Sequence, residues 1–124
     1  DDFDGTRLNY CDVNCPLETR ATEYDDGYAL TASVRSHPSG ASWCDALDMA
    51  GNVWEWVVDW YDSGYYGHSP SRNPIGPSSG EDRVLRGGTW HSTQEYVRTA
   101  SREHYKPGTR TSEAGFRCAG LLGE

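Results

Sequence analysis

Two stretches of the chain gather oxygen donors of the kind a hard cation needs. In Asp48-Met49-Ala50-Gly51-Asn52-Val53-Trp54-Glu55, two carboxylates stand seven residues apart around a glycine turn that frees the carbonyls of Gly51 and Val53. In the second, Asn9-Tyr10 and Asp26-Gly27-Tyr28 again set an amide or acid beside turn carbonyls. Calcium takes about six to eight oxygens from carboxylates, side-chain amides and backbone carbonyls. Both stretches are therefore candidate calcium sites. The plainer reading stands beside this one: Asp48 as a turn cap and Glu55 as a solvated strand residue.

A third concentration lies in residues 83–118, where Gly87, Gly88, Trp90, Arg98, Arg102, Pro107, Arg110, Gly115, Phe116 and Arg117 bracket polar and ionisable residues. The bracketed residues are His91, Ser92, Thr93, Gln94, Glu95, Tyr96, Thr99, Ser101, Glu103, His104, Tyr105, Thr109, Thr111, Ser112 and Glu113. No cysteine stands between Trp90 and Arg117, so the segment has no thiol nucleophile. Tyrosine gives contact area at low entropic cost and serine adapts its hydrogen bonds, so these residues are expected to form a ligand-binding surface. His91 and His104 lack the spacing of a metal motif and read as ordinary surface residues.

Composition narrows the class. At 124 residues the chain has room for one domain at most. Hydrophobic residues are 35% of it, with five Trp, eight Tyr and two Phe, so a few large aromatics must carry the core. A formal charge of −8 disfavours nucleic acid, whose phosphates an acidic surface repels. No apolar run reaches membrane-spanning length. The first residue is Asp rather than Met, so compartment is not legible from the start; a cytoplasmic setting is the default expectation. Cys11, Cys15, Cys44 and Cys118 do not match common zinc spacings. They allow three disulfide pairings or a set of buried thiols.

The elements that must position these groups are short. Residues 1–30 carry turn signals without a sustained period and read as an ordered loop. His37-Pro38-Ser39-Gly40 is another turn. From Val53 to Trp60, Val53, Glu55, Val57 and Asp59 alternate with Trp54, Trp56, Val58 and Trp60, the period of a strand with a Trp/Val face. Residues 62–82 read as an irregular excursion. Arg83–Trp90, Val97–Arg102 and Gly115–Ala119 are further strand candidates. The expected fold class is α+β, loop-rich, with a small antiparallel sheet. Trp54, Trp56, Trp60, Trp90 and Phe116 would form its apolar floor, braced by Arg98, Arg102, Arg110 and Arg117.

The motifs GNVWEWVVDWY, NPIGP, RVLRGGTW and GFRCA, in that order, resemble the second half of the sulfatase-modifying-factor family, whose namesake is the formylglycine-generating enzyme. The resemblance implies a C-type-lectin-like fold, with residues 1–124 as the C-terminal part of a single domain. The family's N-terminal half is then expected to be absent and supplied, if at all, by a companion fragment. It also implies two calcium sites: Asn9, the Tyr10 carbonyl, Asp26 and the Tyr28 carbonyl, and Asp48, the carbonyls of Gly51 and Val53, and Glu55. Family catalysis uses a copper-binding cysteine pair just after the GG-[ST]-[WY] motif. Here Ser92 stands at the first position, the second is Val97 or lost, and Cys118 matches a structural cysteine instead. Soft thiolates are what Cu(I) selects, so formylglycine generation is not expected. The related sulfoxide synthases of thiohistidine biosynthesis hold iron on histidines of another domain.

The frame Arg86-Gly87-Gly88-Thr89-Trp90, Arg98, Ala100, Arg102, Pro107, Arg110, Gly115-Phe116-Arg117 also resembles the variable proteins of diversity-generating retroelements, where residues between frame positions are mutated into libraries of binding surfaces. The expected function is recognition of a protein or small molecule on a calcium-stabilised scaffold, with no nucleic-acid or membrane partner. The alternative is a copper oxidase or related synthase with an altered active site.

Overall fold

A computed structural model describes residues 3–120. The alternating run forms β1, Trp54–Trp60, because β-branched and aromatic side chains pack well on a pleated surface. It pairs antiparallel with β2, Arg83–Arg86, setting Glu55 opposite Arg86, Trp56 opposite Leu85 and Trp60 opposite Arg83, with a shift in register between Trp56 and Trp60. β3, Glu103–Tyr105, lies antiparallel on the far side of β2. β4, Ala114–Gly115, runs parallel to β1 at Trp54 and Glu55. The sheet order is β3-β2-β1-β4. Three single turns of 3-10 helix, Gly5–Arg7, Pro38–Gly40 and Tyr65–Gly67, are the described helical elements. Among the described residues no helix is long and apolar enough to cross a membrane.

Two expected strands are displaced. Val97–Arg102 is a series of turns, because the carbonyls of Thr99, Ala100 and Ser101 all turn toward Arg86 Nη1, at 3.2, 3.3 and 3.0 Å. Carbonyls satisfied by a guanidinium are not available to a ladder, and the strand begins three residues beyond Ala100 instead. β2 ends at Arg86 because Gly87 and Gly88 have φ of +100° and +84°, a region that glycine enters without steric cost. β4 stops after Gly115, short of the expected Ala119.

The Trp/Val face of β1 is only partly covered. Trp54 is buried and Trp56 and Trp60 are half-buried, whereas Val58 is 81% exposed. Phe116, expected in the apolar floor, is 77% exposed. Other buried apolar side chains lie elsewhere, at Val84 and Leu85 in β2 and in a cluster of Leu8, Tyr10 and Val97 covered by Phe3, Ala21, Tyr24 and Ala50. The N-terminal loop is therefore a core element. Its Cys11–Cys15 disulfide closes one turn, and Cys44 and Cys118 are exposed free thiols. Backbone bonds join the loop to the rest: Asn52 N–H donates to Asn9 O at 2.8 Å and Cys11 N–H to Ser92 O at 3.0 Å.

Candidate functional site

The first oxygen cluster is held by backbone amides. Asp26 accepts from Tyr10 N–H through Oδ2 at 3.1 Å and from Tyr28 N–H through Oδ1 at 2.8 Å, so one carboxylate draws Tyr10 and Tyr28 together. Asn9 is buried; its Nδ2 donates to Leu30 O at 2.8 Å and Asn52 Oδ1 at 3.2 Å, and its Oδ1 meets no donor. Burial pushes the Asp26 carboxyl above the usual carboxylate range, and the charge of Asp12 adds to this against the Tyr28 and Tyr10 amides. Asp12, which the sequence did not single out, is fully buried and accepts from the backbone N–H groups of Asp26 and Asn14. Asn9 Oδ1, buried without a donor, and Asp26, whose charge burial makes costly, are oxygen donors of the types a hard cation takes.

The second cluster converges through left-handed backbone. Asp48, Gly51 and Asn52 have φ of 56°, 75° and 65°, and the resulting turn brings Asp48, Gly51, Val53 and Glu55 to line one cavity of about 230 Å³. Asp48 Oδ2 accepts from Arg35 N–H at 2.8 Å. Arg117, also on this cavity, donates through Nε and Nη2 to the two Glu55 oxygens at 2.5 Å each, and to Leu47 O and Asp48 O at 2.8 and 2.7 Å. The oxygens suit calcium, but a guanidinium already shares the Glu55 carboxylate. Among the described residues no three His, Cys, Asp or Glu side chains gather as a metal cluster. Either site would thus depend on carbonyl and amide oxygens.

The expected ligand surface resolves into exposed and structural positions. Gln94, Glu95, Tyr96, Thr99, Thr109 and Ser112 are exposed, and His91, Thr93, Ser101, Glu103, His104, Tyr105, Thr111 and Glu113 are half-buried. Ser92 is a correction: it is 8% exposed, and its Oγ accepts from Thr89 N–H and bonds Thr89 Oγ1, both at 3.0 Å. It closes the turn after Gly88 rather than facing a partner. His91 Nε2 lies 3.1 Å from Glu113 Oε1, close enough for an ion pair when protonated but without hydrogen-bond geometry. His104 Nδ1 bonds Asp82 Oδ2 at 2.6 Å, and its ring stacks on Tyr61 at 3.8 Å. Tyr105 packs edge-on against Trp56, and burial raises its phenol pKa. Neither histidine is an isolated surface group.

The excursion 62–82 has a role the sequence did not disclose. Its Tyr66 accepts from Arg86 Nη2 at 2.7 Å, and the Arg102 guanidinium lies 4.2 Å from the Tyr66 ring centre and 5.1 Å from that of Tyr61. Arg86 and Arg102 thereby lock the turns at 99–102 onto the excursion, the bracing expected of arginine's planar fork.

Comparison with known proteins adds the relatives. The family described as "Sulfatase-modifying factor enzyme 1-like domain" matches residues 9–121. The chain is 42% identical over 99 residues to the formylglycine-generating enzyme of Streptomyces coelicolor, covering 77% of this chain and 31% of that enzyme. It is 46% identical over 91 residues to the serine/threonine-protein kinase Pkn1 of Chlamydia trachomatis, covering 72% of this chain and 14% of the kinase. Among solved structures, Treponema denticola variable protein 1 superposes with a TM-score of 0.68 at 32% identity, over 90% of this chain and 34% of that one. PvdO from Pseudomonas aeruginosa gives 0.64 at 30% identity, over 74% and 34%. The chain spans about a third or less of the length of each of these proteins.

Proposed function

Because the chain belongs to the sulfatase-modifying factor enzyme 1-like domain family, a C-type-lectin-like fold, we propose that it is a recognition domain presenting a changeable surface on a fixed frame. The observation that carries this reading is the contrast within residues 88–102. Gln94, Glu95, Tyr96 and Thr99 are exposed, while the backbone beneath them is pinned by the Thr89–Ser92 hydroxyl pair, buried Val97 and the three carbonyls on Arg86. Side chains on such a base can change without changing the fold. The likeness to Treponema denticola variable protein 1 supports extending the proposal to diversification by a retroelement. A near-copy of the coding region for this segment, differing at adenines and lying beside a reverse transcriptase gene, is the expected genomic signature.

Calcium is part of the proposal. Asn9, Asp26 and the carbonyls of Tyr10 and Tyr28 would hold one ion, and Asp48, Glu55 and the carbonyls of Gly51 and Val53 another. Bound there, calcium would supply positive charge that fastens the loops. The chain's own residues set the geometry: Asp12 orients Asp26 through its backbone N–H, and Arg117 holds Glu55 against residues 47 and 48. A further fragment corresponding to the rest of the family domain is the proposed covering for the exposed Val58 and Phe116.

The second reading, a copper-dependent oxidase, is favoured by the 42% identity to a formylglycine-generating enzyme. Against it, the position of the first catalytic cysteine carries Ser92, whose hydroxyl is committed to Thr89. The test is oxygen consumption with copper and a cysteine-containing peptide. No turnover is expected, and copper-dependent turnover would overturn the recognition reading.

A further inference from the structure

A cavity of about 390 Å³ opens within the exposed segment, lined by Glu95, Tyr96, Arg98, Ser101 and Arg102. Two guanidiniums in one concavity reverse the local sign of a protein whose formal charge is −8. Both are fixed before any ligand arrives. Arg98 Nε donates to Glu95 O at 2.8 Å, and Arg102 Nη1 donates to Asp62 O at 3.2 Å while its plane lies over Tyr66. Among the described residues the terminal nitrogens of Arg98, and Nε and Nη2 of Arg102, meet no acceptor. Arg98 is exposed and Arg102 half-buried, and unpaired guanidinium donors converging on one concavity are matched to a planar or tetrahedral anion. Holding them in place beforehand lowers the entropic cost of binding.

We infer that the pocket between Arg98 and Arg102 is an anchor for a carboxylate group of the ligand, with the 60%-exposed Tyr96 ring receiving the apolar portion next to it. Charge selects carboxylate over phosphate. The pocket offers two positive groups and one negative, Glu95, so a single negative charge balances it, whereas a phosphate dianion would face Glu95 with one charge in excess. Bidentate Arg–carboxylate geometry suits the forks. The inference deepens the recognition reading and rests on it: the arginines would form a constant hook within a rim of changeable residues.

The test uses benzoate and inorganic phosphate as probes, followed by the arginine Nε–H and backbone amide signals in NMR titrations of the intact chain. Benzoate is expected to shift the signals of Arg98, Arg102 and Tyr96 in a saturable way, with phosphate weaker. Arg98→Gln is expected to weaken benzoate at least about fivefold, the loss of roughly one charge-assisted contact. Glu95→Gln should strengthen it about two- to fivefold by removing a surface repulsion. Arg98 is chosen because Arg102 also braces Tyr61, Asp62 and Tyr66, so its loss mixes binding with folding. Absent benzoate shifts in a folded protein, equal shifts in Arg98→Gln, or phosphate binding as tightly as benzoate would each overturn the carboxylate anchor. The recognition reading fails separately, by loss of folding when the exposed residues are truncated.

Discussion

Arg117 and Glu55, 62 positions apart in sequence, meet through two hydrogen bonds of 2.5 Å, each guanidinium nitrogen on a different carboxylate oxygen. The same guanidinium reaches Leu47 O and Asp48 O. β4 is only two residues long, so this side chain fastens the chain after β4 to β1 and to the Asp48 turn where backbone pairing has ended. The hydrogen bonds with Glu55 hold the charged form of Arg117 and raise its pKa further.

Arg117→Lys should therefore cost stability although the charge is kept. A lysine offers one compact ammonium in place of the fork that serves four oxygens. Both side chains are partly exposed, at 36% and 21%, so the expected loss is about 1–2 kcal/mol. Urea unfolding measures it, and a midpoint equal to that of the parent would show the clamp to be idle.

Gly51→Ala should be far more damaging. Gly51 has φ of +75°, and an added Cβ would lie 2.0 Å from Asn9 O. Relief requires moving the loop that donates Asn52 N–H to that same oxygen. A loss of about 3 kcal/mol or more is expected, with little folded protein at room temperature. Gly67→Ala, where nothing lies within 4 Å, is the control and should unfold like the parent.

Tyr10 sets an alkaline limit. It is 1% exposed, and burial raises its pKa to about 12, with Asp12, Glu23, Tyr24 and Asp26 adding to the effect. The folded value lies above the ordinary phenol value of 10.0, so the neutral form is favoured by folding. Its contribution is complete below pH 10 and is lost as pH rises through about 12. Stability followed by denaturant midpoints should fall across that window, and Tyr10→Phe should flatten the fall. A parent midpoint independent of pH from 9 to 12 would contradict the burial argument.

Calcium binding should raise the melting midpoint, because an ion that binds only the folded chain stabilises it by mass action. Melts in millimolar calcium and in chelator are expected to differ by several degrees, with Asp26→Asn reducing the difference. Identical midpoints in the parent would remove calcium from the account.

What the sequence disclosed and what it hid follow a physical division. β1 is legible because Trp and Val alternate with acidic residues, whereas β2 ends at Arg86, four residues short of the expected Trp90, because Gly87 and Gly88 turn to positive φ. The cavity-lining set Asp48, Gly51, Val53 and Glu55 is legible because all four fall within eight consecutive residues, a turn running into the start of β1. β3 was misplaced because the carbonyls of residues 99–101 are captured by Arg86, a contact across 13 to 15 positions that local pattern does not carry. The sequence does not disclose the pairing of His104 because its partner Asp82 is 22 residues away. The bonding of Ser92 to Thr89 is hidden because residue type does not say which hydroxyl closes a turn. The exposure of Val58 and Phe116 depends on which strand face is covered, and alternation leaves that open.

The most direct test of the fixed frame with a changeable surface is equilibrium unfolding of the quadruple variant Gln94→Ala, Glu95→Ala, Tyr96→Ala and Thr99→Ala, set beside Ser92→Ala. The four exposed truncations together should leave the denaturation midpoint close to that of the parent, each within about 0.5 kcal/mol. The single change at Ser92 should cost about 1–3 kcal/mol by leaving the buried Thr89 N–H without its acceptor. Unfolding of the quadruple variant alongside an unperturbed Ser92→Ala would contradict the account, because the residues assigned to recognition would then be the ones holding the fold.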